Sequence, residues 1–184
     1  MAKKERVVLA TPVGRLSFPM LTKKDEGRKY SDGKFKTDLL IPKDVWKKEG
    51  KALVEAVLKV AAAHFGKAVK LKDFKHPFKD CDENPKAMAF MKGHIMIRAK
   101  SSSAPLIVGP DRKPITGEAL AALKGGDYAR LSVSVYAYEQ QGGGVTLGLE
   151  AVQFRNAGEA FGQGKEASLS VLDEMEVPLD EAFA

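Results

Sequence analysis

The fold is decided by residues 127–155, DYARLSVSVYAYE-QQGGG-VTLGLEAVQFR, which carry the strongest β-strand signal in the chain. Two long runs rich in Val, Leu, Tyr and Phe flank a glycine-rich connection at 140–144, a pattern typical of a β-hairpin. In the first run the apolar residues alternate with polar ones and so predict one core-facing side. These core candidates are Leu131, Val133, Val135 and Ala137.

The other face of the same run has an unusual composition for a surface in contact with water. It carries Tyr128, Arg130, Ser132, Ser134, Tyr136 and Tyr138. Three rings with an arginine and two small serines leave room for planar ligands, and the bases of unpaired nucleic acid stack on such rings. The alternative is that the tyrosines pack beneath a loop at 67–86 and complete the core.

Further strand-like and helical segments surround this hairpin. Helical periodicity predicts a long helix over 44–65, with Asp44 as its N-cap and Gly66 at its end, and a shorter one over 116–123. Short strands are predicted at 7–9, 13–21, 34–41, 93–99 and 106–108. We therefore expect a mainly β protein with an OB-fold-like five-stranded antiparallel barrel, helical insertions and a disordered acidic C-terminal tail; a β-sandwich is the alternative.

Positive side chains recur on the polar faces of these strands. A cationic trough with aromatic rings on its floor is a common way to hold a single strand, because the cations follow the phosphates and the rings take the bases. The predicted nucleic-acid-binding residues are Arg15, Lys34, Lys36, Lys92, Arg98, Lys100, Tyr128, Arg130, Tyr136 and Tyr138.

The distribution of charge divides the chain into two parts. All 30 lysines and arginines precede Glu166, whereas six of the 24 acidic residues follow Lys165. The first 165 residues therefore carry a formal charge of +12 and the remaining segment −6. A basic body attracts a polyanion, and an acidic tail competes for the same surface or binds other proteins. We expect a nucleic-acid-binding domain at 1–165 and a flexible acidic tail at 166–184.

Composition and hydropathy bear on where the protein is located in the cell. The single cysteine, Cys81, forms no disulfide within the chain, and neither a signal peptide nor a membrane-spanning stretch is visible. We expect a cytoplasmic protein with no membrane partner.

Signals for catalysis are weak. One group, His76, Asp80, Cys81, Asp82 and Glu83, contains metal-ligating residue types, but its spacing matches no standard zinc pattern. The glycines at 142–144 lack the Lys-Ser/Thr of a phosphate-binding loop. We expect no enzymatic activity, no metal and no cofactor. A metal-dependent nuclease built on 80–83 is one alternative, and a replication adaptor whose main partner is a protein is another.

Two stretches give the chain a family resemblance. TPVGRLSFP at 11–19, followed by LLIPK at 39–43, is similar to the opening of the single-stranded-DNA-binding proteins of tailed bacteriophages. GGDY at 125–128, VYAY at 135–138 and GVTLGLEAVQ at 144–153 resemble their closing stretch. The resemblance implies an OB fold and sequence-independent binding of unpaired DNA in phage replication and recombination, in the cytoplasm of a bacterial host. Composition alone does not separate DNA from RNA.

The resemblance also implies a function for the C-terminus. Similar proteins end in an acidic stretch with an aromatic residue near the terminus, which docks replication or recombination proteins and competes with DNA for the groove. The matching residues are Asp173, Glu174, Glu176, Asp180, Glu181 and Phe183; Ala184 departs from the commonest endings. Edge strands also allow a homodimer.

Overall fold

The computed structural model describes residues 6–161, and the acidic tail lies outside this range. In the described part of the chain, the predicted segments are found in the predicted order, with one additional short strand and with the long helix divided in two. Their bounds are β1 Val7–Ala10, β2 Gly14–Met20, β3 Phe35–Pro42, α1 Lys43–Glu49, α2 Lys51–Phe65, β4 Phe78–Asp80, β5 His94–Ser101, β6 Leu106–Val108, α3 Gly117–Ala121, β7 Tyr128–Tyr138 and β8 Gly144–Asn156.

Five of the strands close into a barrel. The ring runs β2–β3–β5–β8–β7 and returns to β2, and its pairs are antiparallel except for β5–β8, which is parallel. This closed ring with one parallel pair confirms the predicted OB fold and not the β-sandwich. The shorter strands β1, β4 and β6 extend the sheet from β7, β5 and β8.

The hairpin of β7 and β8 supplies much of the core, as its alternation predicts. Leu131 and Val133 are completely buried and Val135 is nearly so. Strand β7 breaks register at two points in its pairing with β8, between Tyr128 and Ala129 and between Ser132 and Val133. Such irregularities bend a strand, and β7 pairs with β2 at one end and with β1 further along.

The long helical segment differs in detail from its prediction. It is two helices that meet at Gly50, where an added Cβ would collide with the ring and carbonyl of Trp46. The first helix follows Pro42 and has no side-chain cap, so the prediction of Asp44 as N-cap is wrong. The predicted end is confirmed, because Gly66 takes a left-handed conformation there, with φ 69°. The inward face of α2 packs on the barrel through Leu53, Val57 and Ala61.

The outer face of β3 and β5 is partly covered, which simple alternation did not predict. Leu40 and Met96 point away from the barrel interior, yet both are buried in a second apolar cluster with Cys81 and Met91. The segment between β4 and β5 supplies this cover. Strand β4 was missed because three residues are too few for a periodic signal.

Candidate nucleic-acid interface

The uncovered part of the β3–β5 outer face carries cations that are paired with aspartates. Arg98 donates from Nε and Nη2 to the carboxylate of Asp38, at 2.5 and 2.7 Å. Lys36 Nζ lies 2.5 Å from Asp25, and Lys100 Nζ lies 2.6 Å from Asp32. Cross-strand register fixes this arrangement, since β3 places Lys36 opposite Lys100 and Asp38 opposite Arg98 on β5. Sequence alternation predicted the cations on this face but not their partners.

Two of these aspartates have perturbed acidities. The hydrogen bond from Lys36 lowers the pKa of Asp25; burial opposes this effect and Arg28 reinforces it. Burial alone would raise the pKa of Asp32, but the hydrogen bond and charge of Lys100, with the charge of Lys36, lower it to about 2. Both carboxylates are therefore ionised at neutral pH. A phosphate that approaches Lys36 or Lys100 must compete with them.

A groove lined by aromatic and cationic side chains borders this network. It consists of two adjacent cavities of about 560 and 430 Å³ that share Phe18 and Pro19. We call it the aromatic groove. Its principal side chains are Phe18, Arg28, Lys29, Tyr30, Lys36, Met88, Phe90 and Phe161.

Two rings of the aromatic groove are unusually exposed. Tyr30 has 87% of its surface exposed and Phe18 has 57%. Phe18 also has φ 46°, a left-handed conformation that is rare for a bulky residue, and it lies where the β2–β3 register shifts between Ser17 and Met20. Strict alternation would put Phe18 on the same side as buried Leu16. At this irregularity the ring of Phe18 turns outward, so strand periodicity did not predict its exposure.

Arg15 contacts Phe161 of the aromatic groove and makes two hydrogen bonds to backbone carbonyls. Its guanidinium lies 4.2 Å from the ring centre of Phe161 and 5.3 Å from that of Tyr128. It donates to the carbonyls of Gly126 and Glu159, at 2.9 and 2.5 Å. Phe161 in turn stacks on Phe90 at 4.4 Å. Arg15 therefore holds the segment 157–161 against the barrel, and Tyr128 remains 37% exposed beside it.

The other two predicted tyrosines lie near the tip of the β7–β8 hairpin. The ring of Tyr136 lies over Gly148, and Gly148 pairs in register with Lys100. Tyr136 is 44% exposed, so it extends the cationic face of β3 and β5 across β8. Tyr138 is half-buried against Gly144.

The structure does not gather all ten predicted residues in one groove. Lys36, Arg98, Lys100 and Tyr136 share the outer face of β3, β5 and β8, with half-buried Lys34 just before β3. Arg130 instead donates to Gln153, 2.7 Å away, on another part of the barrel. Lys92 is exposed in the loop before β5. Phe18, Tyr30, Phe90 and Phe161 are additional candidates that only the structure revealed.

The side chains of the alternative metal site at 80–83 make other interactions. Lys43 Nζ lies 2.7 Å from both Asp80 and Asp82, so these carboxylates neutralise a lysine. Burial raises the pKa of the Cys81 thiol, which disfavours the thiolate that a metal would need. Within residues 6–161, no three His, Cys, Asp or Glu side chains converge in a way that would hold a metal ion.

No helix in that range is long and apolar enough to cross a membrane.

The fold is shared with solved structures of phage proteins. The single-stranded DNA-binding protein of bacteriophage Enc34, solved in complex with ssDNA, has a TM-score of 0.71 and is 23% identical, with 88% of this chain and 96% of that chain covered. The gp2.5 single-stranded DNA-binding protein of bacteriophage T7 has a TM-score of 0.64 at 18% identity, with 94% and 98% covered. At these identities the similarity establishes the fold.

Sequence comparison establishes the family. Protein p50 of Acyrthosiphon pisum secondary endosymbiont phage 1 is 26% identical over 178 residues, with 91% of this chain and 93% of p50 covered. Residues 6–182 also match the family described as Enterobacter phage Enc34, ssDNA-binding protein. Because this match covers nearly the whole sequence, the chain belongs to the Enc34 family of phage ssDNA-binding proteins.

Proposed function

We propose that this protein binds unpaired DNA along the aromatic groove and across the outer face of β3, β5 and β8. The observation that carries the proposal is the exposure of Phe18 and Tyr30 beside Arg28, Lys29 and Lys36 on the surface of an OB barrel. In OB folds the second and third barrel strands and the loop joining the first two form the nucleic-acid surface. Here these are β3, β5 and residues 21–34; residues 21–34 and Lys36 of β3 line part of the aromatic groove, and β5 carries Arg98 and Lys100 on the adjoining face.

The chemistry of this surface favours binding without regard to sequence. Exposed rings stack on any base, whereas lysines and arginines follow the phosphates. Asp25, Asp32 and Asp38 hold Lys36, Lys100 and Arg98 in position and reduce the attraction for other anions. We infer a binding protein without catalytic activity that coats single strands during phage replication and recombination, in the cytoplasm of a bacterial host. The Enc34 protein solved with ssDNA supports this function.

Direct binding tests the proposed function. We expect the full chain to bind a fluorescent single strand of about 20 to 30 bases much more tightly than a blunt duplex of the same length, because paired bases cannot stack on Phe18 and Tyr30. Gel-shift titration at several salt concentrations measures this difference. For each tenfold rise in salt concentration, the logarithm of the association constant for the single strand should fall by about 0.7 per phosphate contact. Equal affinity for both forms, or no binding at low salt, would contradict the proposal.

We further propose that residues 1–165 form the binding domain and that 166–184 shield it. Phe161, the last described residue, lies in the aromatic groove, and the acidic segment starts five positions later in the sequence. The tail also offers Asp173, Glu174, Glu176, Asp180, Glu181 and Phe183 to replication or recombination proteins. Edge strands such as β1 leave room for a second copy to pair.

Removal of the tail tests the shielding. A chain that ends at Lys165 should bind a single strand about tenfold more tightly at low salt, because six competing negative charges are gone. The matched control is the full-length chain with these six acids changed to their amides, which keeps the tail length. If charge is the cause, both variants should gain affinity in the same gel-shift titration. A truncated chain that binds no better than the full chain would contradict the shielding.

A further inference from the structure

A second cationic surface lies outside the aromatic groove. It consists of Arg112, Arg130 and Arg155, all exposed, and we call it the arginine surface. Across residues 6–161, none of these three guanidiniums has a carboxylate within 4.0 Å. The cations of β3 and β5, by contrast, are paired with aspartates. The arginine surface is therefore the less neutralised of the two.

Arg130 lines two shallow cavities. One, of about 260 Å³, also contains Leu106, Val108 and Arg112; the other, of about 240 Å³, contains Phe154 and Arg155. Leu106 is 57% exposed, so apolar floor is open to solvent. Arg130 therefore lies beside two partly apolar cavities, so a phosphate on its guanidinium would have apolar surface next to it for a sugar or base.

Hydrogen bonds fix the arrangement before any ligand arrives. Gln153 accepts from Arg130 and donates to the carbonyls of Gly109 and Pro110, at 3.3 and 3.2 Å. These two carbonyls begin the turn that presents Arg112, whose φ is 63°. Gln153 therefore orients the guanidinium of Arg130 and anchors the backbone of the turn that carries Arg112, which reduces the conformational freedom that these parts lose on binding.

This surface is separate from the proposed path of the first strand. That path crosses β2, β3, β5 and β8 from Phe18 through Lys36 and Lys100 to Tyr136. The arginine surface lies on β7, the far end of β8 and the turn after β6. Residues 157–161 cover the barrel between them, where Gly158 packs on Tyr128 and Glu159 bonds Arg15.

We propose that the arginine surface binds the phosphodiester backbone of a second single strand while the aromatic groove holds the first. This inference rests on the proposed function, because the first strand must occupy the groove. Guanidiniums bind phosphates through charge-assisted and often bidentate hydrogen bonds. Two strands on one protomer are at a high effective concentration relative to each other, which favours the pairing of complementary sequences.

The stoichiometry of a short oligonucleotide tests this proposal. A labelled thymidine strand of about eight nucleotides is within the length that one OB barrel covers. Analytical ultracentrifugation of the full chain at low salt should show two strands bound per protomer at saturation. In the variant R112Q/R130Q/R155Q, the second binding should weaken by about tenfold or more, whereas the first should change less than about twofold.

A matched variant separates position from charge. K47Q/K48Q/K67Q removes an equal number of charges from exposed positions in α1 and just after α2, and it should still bind two strands. If the full chain binds no strand, the proposed function fails. If it saturates at one strand, only the second surface fails.

Two other results would overturn the second-strand proposal. If the arginine variant binds octamers normally but loses affinity for a strand of about 20 bases, the surface extends the first path. A peptide with the sequence of residues 166–184 provides the other comparison. If it binds the full chain more tightly than the octamer does, and only through these arginines, the surface docks an acidic protein segment.

Discussion

Replacing Phe18 and Tyr30 together by alanine is expected to weaken single-strand binding by at least about 30-fold. Each base stacked on an aromatic ring contributes about 1 to 3 kcal/mol, so the loss of two rings removes about 2 to 6 kcal/mol of binding free energy. Both rings are already exposed in the unbound protein, and neither is part of the buried core. The change should therefore leave the thermal stability of the fold nearly intact. Fluorescence anisotropy with a labelled strand measures the affinity, and a thermal melt measures the stability.

Two paired variants control for this result. Y136A/Y138A removes two of the three tyrosines identified from sequence; of these two, Tyr136 is the more exposed, and its ring lies over Gly148, which pairs with Lys100. It should cost less than F18A/Y30A. K47A/K51A removes charge from exposed helical positions and should cost least. If all three variants lose affinity equally, general electrostatic attraction accounts for binding and the aromatic groove is not the binding site.

The architecture followed from sequence to a large extent because the core strands are strongly periodic. Alternation in 127–139 predicted the buried side of β7, and Leu131, Val133 and Val135 occupy it. The break in the long helix was harder to predict, since Gly50 lies among good helix formers and its exclusion of a Cβ depends on the Trp46 ring. The β4 strand and the cover over Met96 arise from contacts distant in sequence, which no local pattern contains.

The candidate interface was less predictable than the fold. Strand parity correctly grouped Lys36, Arg98 and Lys100 on one face, because cross-strand register follows from alternation. Their aspartate partners were missed, since Asp25 and Asp32 come from a loop whose path the sequence does not specify. Phe18 was missed because a register shift accompanies its departure from alternation. A bulky aromatic beside Pro19 was the available signal, since proline interrupts a strand.

The cations on the outer face of β3 and β5 are paired with aspartates, which gives them a structural role in addition to any attraction for phosphate. Asp38 has only 4% of its side chain exposed, whereas that of Arg98, its partner, is 47% exposed. The hydrogen bond to Asp38 raises the pKa of Arg98, so the guanidinium stays charged. If Asp38 is removed, water can therefore hydrate the exposed guanidinium of Arg98. If Arg98 is removed, water has little access to the buried Asp38 carboxylate.

That difference predicts unequal costs for the two single substitutions. R98M should lower the free energy of unfolding by about 3 to 5 kcal/mol, because it leaves the buried Asp38 carboxylate without its partner. D38N should cost only about 1 to 3 kcal/mol, since the guanidinium of Arg98 can still be hydrated and the amide oxygen can still accept. Urea unfolding at pH 7 measures both. The double variant R98M/D38N should be more stable than R98M alone, because it no longer buries a single charge.

An exposed ion pair provides the comparison that isolates burial. Lys51 and Glu55 lie 3.7 Å apart on α2 with 83% and 63% of their side chains exposed, so K51M or E55Q should change stability by less than about 0.5 kcal/mol. If R98M lowers the free energy of unfolding no more than these changes do, other groups stabilise the Asp38 carboxylate. Arg98 would then have no structural role and would serve only to bind a ligand. If R98M is strongly destabilising and D38N is not, Arg98 has two functions. It neutralises a buried carboxylate through one edge of its guanidinium, and its exposed part remains available to a phosphate on the same face.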